Sequence, residues 1–157
     1  MTWNTNMRNA VILASTFFVA FSGSLVTRTG MGWYRTLSLP WFTPSGRIIG
    51  RVWTTIFIFG AVSAIGWWGQ KERDRRFWTV AGIFVANALL NVGWSVAFFG
   101  LHEMVVAIWI AAFLALSVWL LVALMWKRRL VSSILLVPYA AWATFATYLT
   151  YAVMRLQ

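Results

Sequence analysis

Apolar residues in this chain run in five long blocks, at about residues 9–27, 48–69, 77–100, 104–126 and 131–154. Each block is close to the ~20 mostly apolar residues that a helix needs to cross the hydrocarbon core of a bilayer. None alternates with the two-residue period of a barrel strand, and each outlasts the apolar face of a soluble core helix. The last four blocks contain no Lys, Asp or Glu, and Arg51 at an edge is their one arginine. The pattern predicts an all-α integral membrane protein, a bundle of five transmembrane helices forming one domain over residues 1–157. The first block follows Arg8 and passes Ser22-Gly23-Ser24, a weak likeness to a secretory signal. Its apolar run continues through Leu25 and Val26 with no small-x-small cleavage site after them, so a retained first helix is expected.

Composition agrees. Hydrophobic residues make up 61% of the chain and charged residues only 10%, against about 25% charged in a soluble domain. The net charge of +10 would suit a nucleic-acid partner, but the basic residues sit in short clusters between the blocks. Positive caps on membrane helices, facing anionic head groups, account for that placement without nucleic acid. Arg8, Lys71, Arg73, Arg75, Arg76, Lys127, Arg128 and Arg129 fall at one set of segment ends; Arg28, Arg35, Arg47, Arg51 and Arg155 fall at the other. The positive excess puts the N-terminus in the cytoplasm, and a bundle with a retained first helix is expected in a bacterial inner membrane. With no cysteine, thiol chemistry, disulfides and Cys-ligated zinc are excluded.

Conventional catalytic groups are missing from the blocks. The single histidine, His102, lies beside Glu103 in the short turn between the third and fourth blocks. It reads as a solvated interfacial residue, and one histidine does not make a metal site. The interior offers aromatic rings and amides instead. Asn87, Asn91, Trp94 and Phe98 fall on one helical stripe; Trp53, Phe57 and Gly60 share a face of the second block, as Tyr139, Trp142, Ala146 and Thr150 do in the fifth after Pro138. Two readings stand for these stripes: interhelical packing glued by amide hydrogen bonds, or walls of a cavity for a flat apolar ligand. Gly82 with Ala86, and Gly93 with Ala97, have the small-xxx-small spacing of close helix approach, either within the chain or in a homodimer through the third helix.

Between the first two blocks the chain reads Trp33-Tyr34-Arg35-Thr36-Leu37-Ser38-Leu39-Pro40-Trp41-Phe42-Thr43-Pro44. Its prolines forbid a long helix, and two readings stand for a loop of some twenty residues this rich in aromatics: an interfacial aromatic belt, or a lid folded over a cavity. In the lid reading Arg28, Arg35 and Arg47 stand near the mouth, able to pair with a ligand carboxylate; in the other each is a head-group contact.

This string resembles the first-loop signature of the TspO/MBR family, the tryptophan-rich sensory proteins and the mitochondrial translocator protein (peripheral-type benzodiazepine receptor). Trp53-Thr54-Thr55-Ile56-Phe57 is similar to that family's second-helix motif. The stretch from Asn91 to Gly100 is similar to its third, and that from Val137 to Leu149 to its fifth. The resemblance runs through the chain in order. It implies a commonly dimeric five-helix bundle whose cavity takes protoporphyrin IX and other tetrapyrroles, benzodiazepine-type drugs and, in animals, cholesterol. No cofactor is required; porphyrin is the ligand. Carried over by motif, the cavity residues are Trp33, Tyr34, Trp41, Trp53, Phe57, Asn91, Trp94, Tyr139, Trp142 and Ala146, with Asn87 added from the stripe. Some bacterial members promote light-dependent porphyrin breakdown, which makes Trp53 and Trp142 the candidates for a photo-oxidative, catalytic role.

The chain departs from the family in places. Ser45 stands where many members have a second proline, Phe57 where many have tyrosine and Thr150 where many have asparagine, so polar recognition is expected to differ. Leu149, Tyr151 and Arg155 satisfy the proposed sterol motif, a pattern that occurs often by chance. Three functions follow: a tetrapyrrole sensor or sequestering protein with light-dependent breakdown, a passive carrier of porphyrins or lipids, and a regulatory adaptor docking through the turn from Lys71 to Arg76.

Overall fold

The computed structural model describes residues 4–157, and among them the regular structure is helical throughout. Five long helices cover α1 (Thr5–Tyr34), α2 (Gly46–Trp68), α3 (Arg75–Ser95), α4 (Met104–Met125) and α5 (Leu130–Arg155). All five, counting α3 with the turn that continues it, are long and apolar enough to span a membrane. The chain is an integral membrane protein. Local signals set the helix starts. The Asn4 side chain caps α1 by accepting from the Met7 N–H at 3.0 Å, and Asp74 caps α3 by accepting from Phe77 N–H at 2.9 Å. Pro40 and Pro44 keep the first loop out of helix, and α2 begins directly after Ser45.

The helices close into a ring in the order α1, α2, α5, α4, α3 and back to α1, each with two principal neighbours. Such a ring needs close approaches, and small polar residues supply them. Gly66 of α2 meets the Ser132 side chain of α5, beside a hydrogen bond from the Ser63 hydroxyl to the Ser132 carbonyl at 2.8 Å. Ser133 donates to the Val122 carbonyl of α4 at 2.7 Å. In hydrocarbon these bonds substitute for the hydrophobic driving force that lipid does not provide. The apolar core gathers around α4, where Val118, Leu121 and Met125 are fully buried. The outer surface is apolar too: Val131 is 74% and Phe17 70% exposed, as a lipid-facing surface requires.

Two boundaries differ from those expected. The first helix continues seven residues past Thr27 to Tyr34, so Trp33 and Tyr34 form its last turn and the loop is confined to residues 35–45. Hydropathy marks the part of a helix that crosses hydrocarbon; Arg28 and Thr29 end that part while the backbone continues through the polar interface. The block at 77–100 is helical throughout, but Val96–Gly100 is a π-helical turn. Its extra residue per turn rotates Phe98 and Phe99 inward, where both are buried. The π-turn packs against the end of α1, where Gly30 lies directly on the Phe99 backbone, with its carbonyl oxygen in contact and Phe99 Cβ 2.7 Å from where a Gly30 Cβ would stand. Only glycine permits that approach.

Candidate functional site

The ring encloses a cavity of about 820 Å³, within the usual range of small-molecule sites. Three walls are stripes at helical spacing. On α2, Ile49, Gly50, Trp53, Thr54 and Phe57 face inward. On α5 the stripe is Trp142, Phe145, Ala146, Leu149, Thr150 and Val153. From α3 and its π-turn come Asn91, Trp94, Ser95, Phe98 and Phe99. The fourth wall is α1, through Ala20, Gly23, Ser24 and Thr27, with Arg28 at the edge. Leu39, Pro40, Thr43 and Pro44 of the first loop line the cavity's end.

The rings are ordered against one another. Trp53 and Trp94 lie nearly parallel with centroids 6.5 Å apart. Trp94 stacks on Phe98 at 5.6 Å and 8°, and Trp53 meets Phe57 at 5.7 Å. Trp142 tilts against Phe145 at 5.3 Å. Trp94 Nε1, Trp142 Nε1 and Thr43 Oγ1 are buried without a hydrogen-bond partner. Buried polar groups are nearly always paired, so three orphans lining one cavity mark it as a place for a ligand with hydrogen-bonding atoms at its edge.

The sequence candidates divide. Tyr34, Trp53, Phe57, Asn91, Trp94, Trp142 and Ala146 line the cavity. Trp33 does not: it stacks on His102, centroids 4.1 Å apart, outside the wall, which packs the lone histidine, in an unusual left-handed conformation at φ 59°, against the end of α1. Trp41 also stays outside, 96% exposed at the tip of the loop. Asn87 and Tyr139 line a second cavity beyond Phe57. Their polar atoms engage each other: the Tyr139 hydroxyl donates to Asn87 Oδ1 at 2.9 Å and accepts from Asn91 Nδ2 at 3.2 Å. Asn87 Nδ2 in turn donates to the Ser117 hydroxyl of α4 at 2.8 Å. Of the two readings of the amide stripe, interhelical glue is therefore met, while Asn91 also borders the cavity. Of the arginines expected at the mouth, Arg28 lines it and Arg35 and Arg47 do not. Leu149 faces the cavity, whereas Tyr151 and Arg155 are exposed on the outer side, so the three residues of the sterol pattern do not converge. Thr150 is buried and donates back to the Ala146 carbonyl at 2.8 Å, leaving no hydroxyl proton for a ligand.

The α1 wall is the part that motif reading passed over. Its signal is plain once sought: Ala20, Gly23, Ser24 and Thr27 form an i, i+3, i+4, i+7 stripe of small and polar residues in a helix otherwise rich in Phe, Val and Leu. Gly23 and Gly30 are the two buried residues of α1, and a Cβ on Gly23 would stand 3.3 Å from Ser95 Oγ.

A ring of five membrane-spanning helices around an indole-lined internal cavity, with a proline-braced loop contributing to its lining, is a specific architecture within helical membrane proteins. The chain belongs to the TspO/MBR family, whose sequence model matches residues 10–156. It is 30% identical over 141 residues to the Tryptophan-rich protein TspO of Chlorobaculum tepidum, covering 88% of each chain. It is 30% identical to the Tryptophan-rich sensory protein of Cereibacter sphaeroides, covering 79% of this chain and 76% of the relative. The human Translocator protein is 29% identical over 86% of this chain and 81% of its own length.

Proposed function

We propose that this chain is a tetrapyrrole-binding membrane sensor or sequestering protein, taking protoporphyrin IX-type ligands in the cavity beneath the first loop. The observation that carries the reading is the pair of buried indole donors, Trp94 Nε1 and Trp142 Nε1, in a cavity walled by flat rings. A planar macrocycle stacks on Trp53 and Trp94 and offers acceptors at its rim, and Arg28 at the cavity edge pairs with a propionate. Flat apolar drugs of the benzodiazepine type share the stacking and lack the carboxylates. The lid role of residues 35–45 belongs to this reading.

Under light, the bound porphyrin passes its excitation to dioxygen, which adds across a methine carbon–carbon double bond and cleaves it, both oxygen atoms ending as carbonyls of the opened ring. Trp53 and Trp142 are the oxidisable wall side chains assigned to this step, beside Trp94. Titration of the purified protein with protoporphyrin IX, followed by quenching of its twelve tryptophans, tests binding. Saturable dark quenching, weakened by Trp142→Ala, is expected; quenching that never saturates refutes the site. Unchanged loss of porphyrin absorbance under light in the Trp53→Phe, Trp142→Phe double variant refutes the photochemical role.

A second reading is passive carriage. It is favoured by the second cavity, which lies on the other side of Phe57 and Asn91 and shares both residues with the first. It requires porphyrin flux into liposomes above that of vesicles carrying an unrelated bundle. For the homodimer, Gly82 and Ala86 are exposed with nothing above Gly82, whereas Ala97 is buried and Gly93 faces Ile110 within the chain. A second copy therefore docks on Gly82 and Ala86, and Gly82→Leu is expected to abolish dimer cross-linking in the membrane. The end bearing Arg8, Arg73, Arg76 and Arg128 faces the cytoplasm of a bacterial inner membrane in this reading; a reactive probe placed on each side of the membrane distinguishes the orientations.

A further inference from the structure

At the end of the bundle opposite the first loop, two arginines converge on one acceptor. Arg8 Nη1 donates to the Trp68 carbonyl at 3.2 Å, and Arg73 Nη2 donates to the same oxygen at 2.9 Å. Their guanidinium groups are thus neighbours; Arg8 also donates to Asn9 Oδ1 and Arg73 lies 4.0 Å over the Phe77 ring, and among the described residues neither has an acidic partner. Of the two acidic residues nearby, Asp74 is paired with Arg128 at 2.6 Å, and Glu72, largely exposed, lies 3.9 Å from the same guanidinium. Two like charges held together at the edge of a low-dielectric region are unfavourable until an anion bridges them.

Beneath these arginines opens the second cavity, of about 780 Å³, to which both contribute. Its walls are mostly apolar: Val11, Ile12 and Val19 of α1 face Ile56 and Ala64 of α2 and Ala88 of α3, and the polar exceptions are Ser15 and Thr16 of α1 and the hydrogen-bonded set Asn87, Asn91 and Tyr139. Its floor reaches Leu121 and Leu136, each 1% exposed, so it penetrates the ring of helices rather than lying on its surface. The slot is also open sideways. Both buried residues of α1 lie in its second half, and no buried residue seals its first half against the bundle. A mostly apolar slot, open to the bilayer and topped by two cations without counter-charge, has the shape and charge of one kind of molecule.

We propose that this groove holds an anionic phospholipid, one acyl chain inserted between α1, α2 and α3 and the phosphate bridging Arg8 and Arg73. A zwitterionic lipid fills the slot equally well but brings a quaternary ammonium to a site already carrying two positive charges, so the head group discriminates. The site adjoins the indole-lined cavity across Phe57 and Asn91, but its two arginines and its α1 wall are its own, so either proposal survives failure of the other.

The test uses the full chain in detergent, mixed with phosphatidylglycerol or phosphatidylcholine of identical chains and read by native mass spectrometry. The wild type is expected to retain one phosphatidylglycerol with about tenfold preference over phosphatidylcholine. Arg8→Gln with Arg73→Gln brings the preference to about one, and the control pair Arg75→Gln with Lys127→Gln leaves it unchanged. Ala88→Trp, which fills the slot and leaves both arginines, loses both lipids. Should the double-glutamine variant not fold, Ala88→Trp decides alone: retention of phosphatidylglycerol by that variant overturns the proposal. So does equal retention of the two lipids by the wild type, or a control pair that abolishes the preference as fully as the Arg8 and Arg73 changes.

Discussion

The Tyr139 hydroxyl donates to Asn87 Oδ1 across the inside of the ring, from α5 to α3, at 2.9 Å, and this one bond closes a polar chain through the interior of the bundle. Asn91 Nδ2 donates to the Tyr139 hydroxyl oxygen at 3.2 Å, and Asn87 Nδ2 passes the chain to Ser117 of α4. Three helices are fixed by four side chains, all buried. Tyr139→Phe keeps the ring's edge contact with Trp53 but strands the Asn87 carbonyl and the Asn91 amide. The expected loss of stability is about 1 kcal/mol, between the average for a hydrogen bond between membrane helices and the cost of unsatisfied buried groups. Ser117→Ala, which strands only one amide proton, should cost less. Unfolding in detergent measures both; a Tyr139→Phe protein as stable as wild type would show that the network holds nothing.

Gly30 and Gly32 make a matched pair two residues apart on α1. A Cβ at Gly30 strikes the Phe99 carbonyl, and the neighbouring Phe99 Cβ and carbonyl carbon lie within 2.7 and 2.9 Å of it. Relief requires moving backbone, either α1 or the π-turn, and overpacking of this kind costs about 1–3 kcal/mol. A Cβ at Gly32 meets nothing within 4 Å, and Gly32→Ala should stabilise the helix by about 0.4–1 kcal/mol. Because the π-turn carries Phe98 and Phe99 into the cavity wall, Gly30→Ala is also expected to blue- or red-shift the tryptophan emission of Trp94, while Gly32→Ala leaves it unchanged.

These two sites show what the linear pattern can and cannot carry. Five apolar blocks specify five helices because hydrocarbon forbids unpaired backbone, which leaves the helix as the available form. The stripes of α2 and α5 were legible for the same reason: Trp53 with Phe57, and Trp142 with Ala146, are one turn apart, and helix geometry alone puts them together. Where backbone geometry departs from the regular helix, legibility ends. The π-turn at Val96–Gly100 changes the phase by one residue and brings in Phe99, which no regular spacing from Trp94 selects. Likewise Trp33 and Trp41 carry the strongest motif in the chain, yet neither lines the cavity: one closes the end of α1 on His102, the other points off the loop. A motif fixes residue types, and loop conformation decides where their side chains go.

The basic end of the bundle has its own pH signature. The Arg128 side chain donating to Asp74, together with the Phe77 backbone N–H, holds the Asp74 carboxyl down to about 2. A carboxylate whose folded value lies below its unfolded value of about 3.9 stabilises the fold fully above that unfolded value, and the contribution is lost as pH falls through 2. Thermal unfolding in detergent between pH 5 and 2 should therefore show a loss that begins near pH 4 in the wild type. Asp74→Asn, which still caps α3 but carries no charge, should be flat over the same window. Parallel curves for the two proteins would remove the Asp74–Arg128 pair as the cause.

Trp41 and Trp94 separate exposure from function most sharply. Trp41 is 96% exposed, so Trp41→Ala should leave half-saturation by protoporphyrin IX within about twofold of wild type, a change worth less than half a kcal/mol. Trp94→Phe preserves a stacking ring beside Trp53 and deletes only the unpartnered N–H. If that donor meets the macrocycle, affinity falls about five- to tenfold, the worth of one hydrogen bond. Arg28→Gln should weaken binding by a similar factor and remove its dependence on ionic strength, because a charge pair at the cavity edge is screened by salt and an indole donor inside it is not. Titrations of the three variants at low and high salt distinguish these contributions. Equal affinities for Trp94→Phe and wild type at both salt concentrations would mean that the orphan indole is not the recognition element, and the stacking pair Trp53–Trp94 would then have to supply the binding on its own.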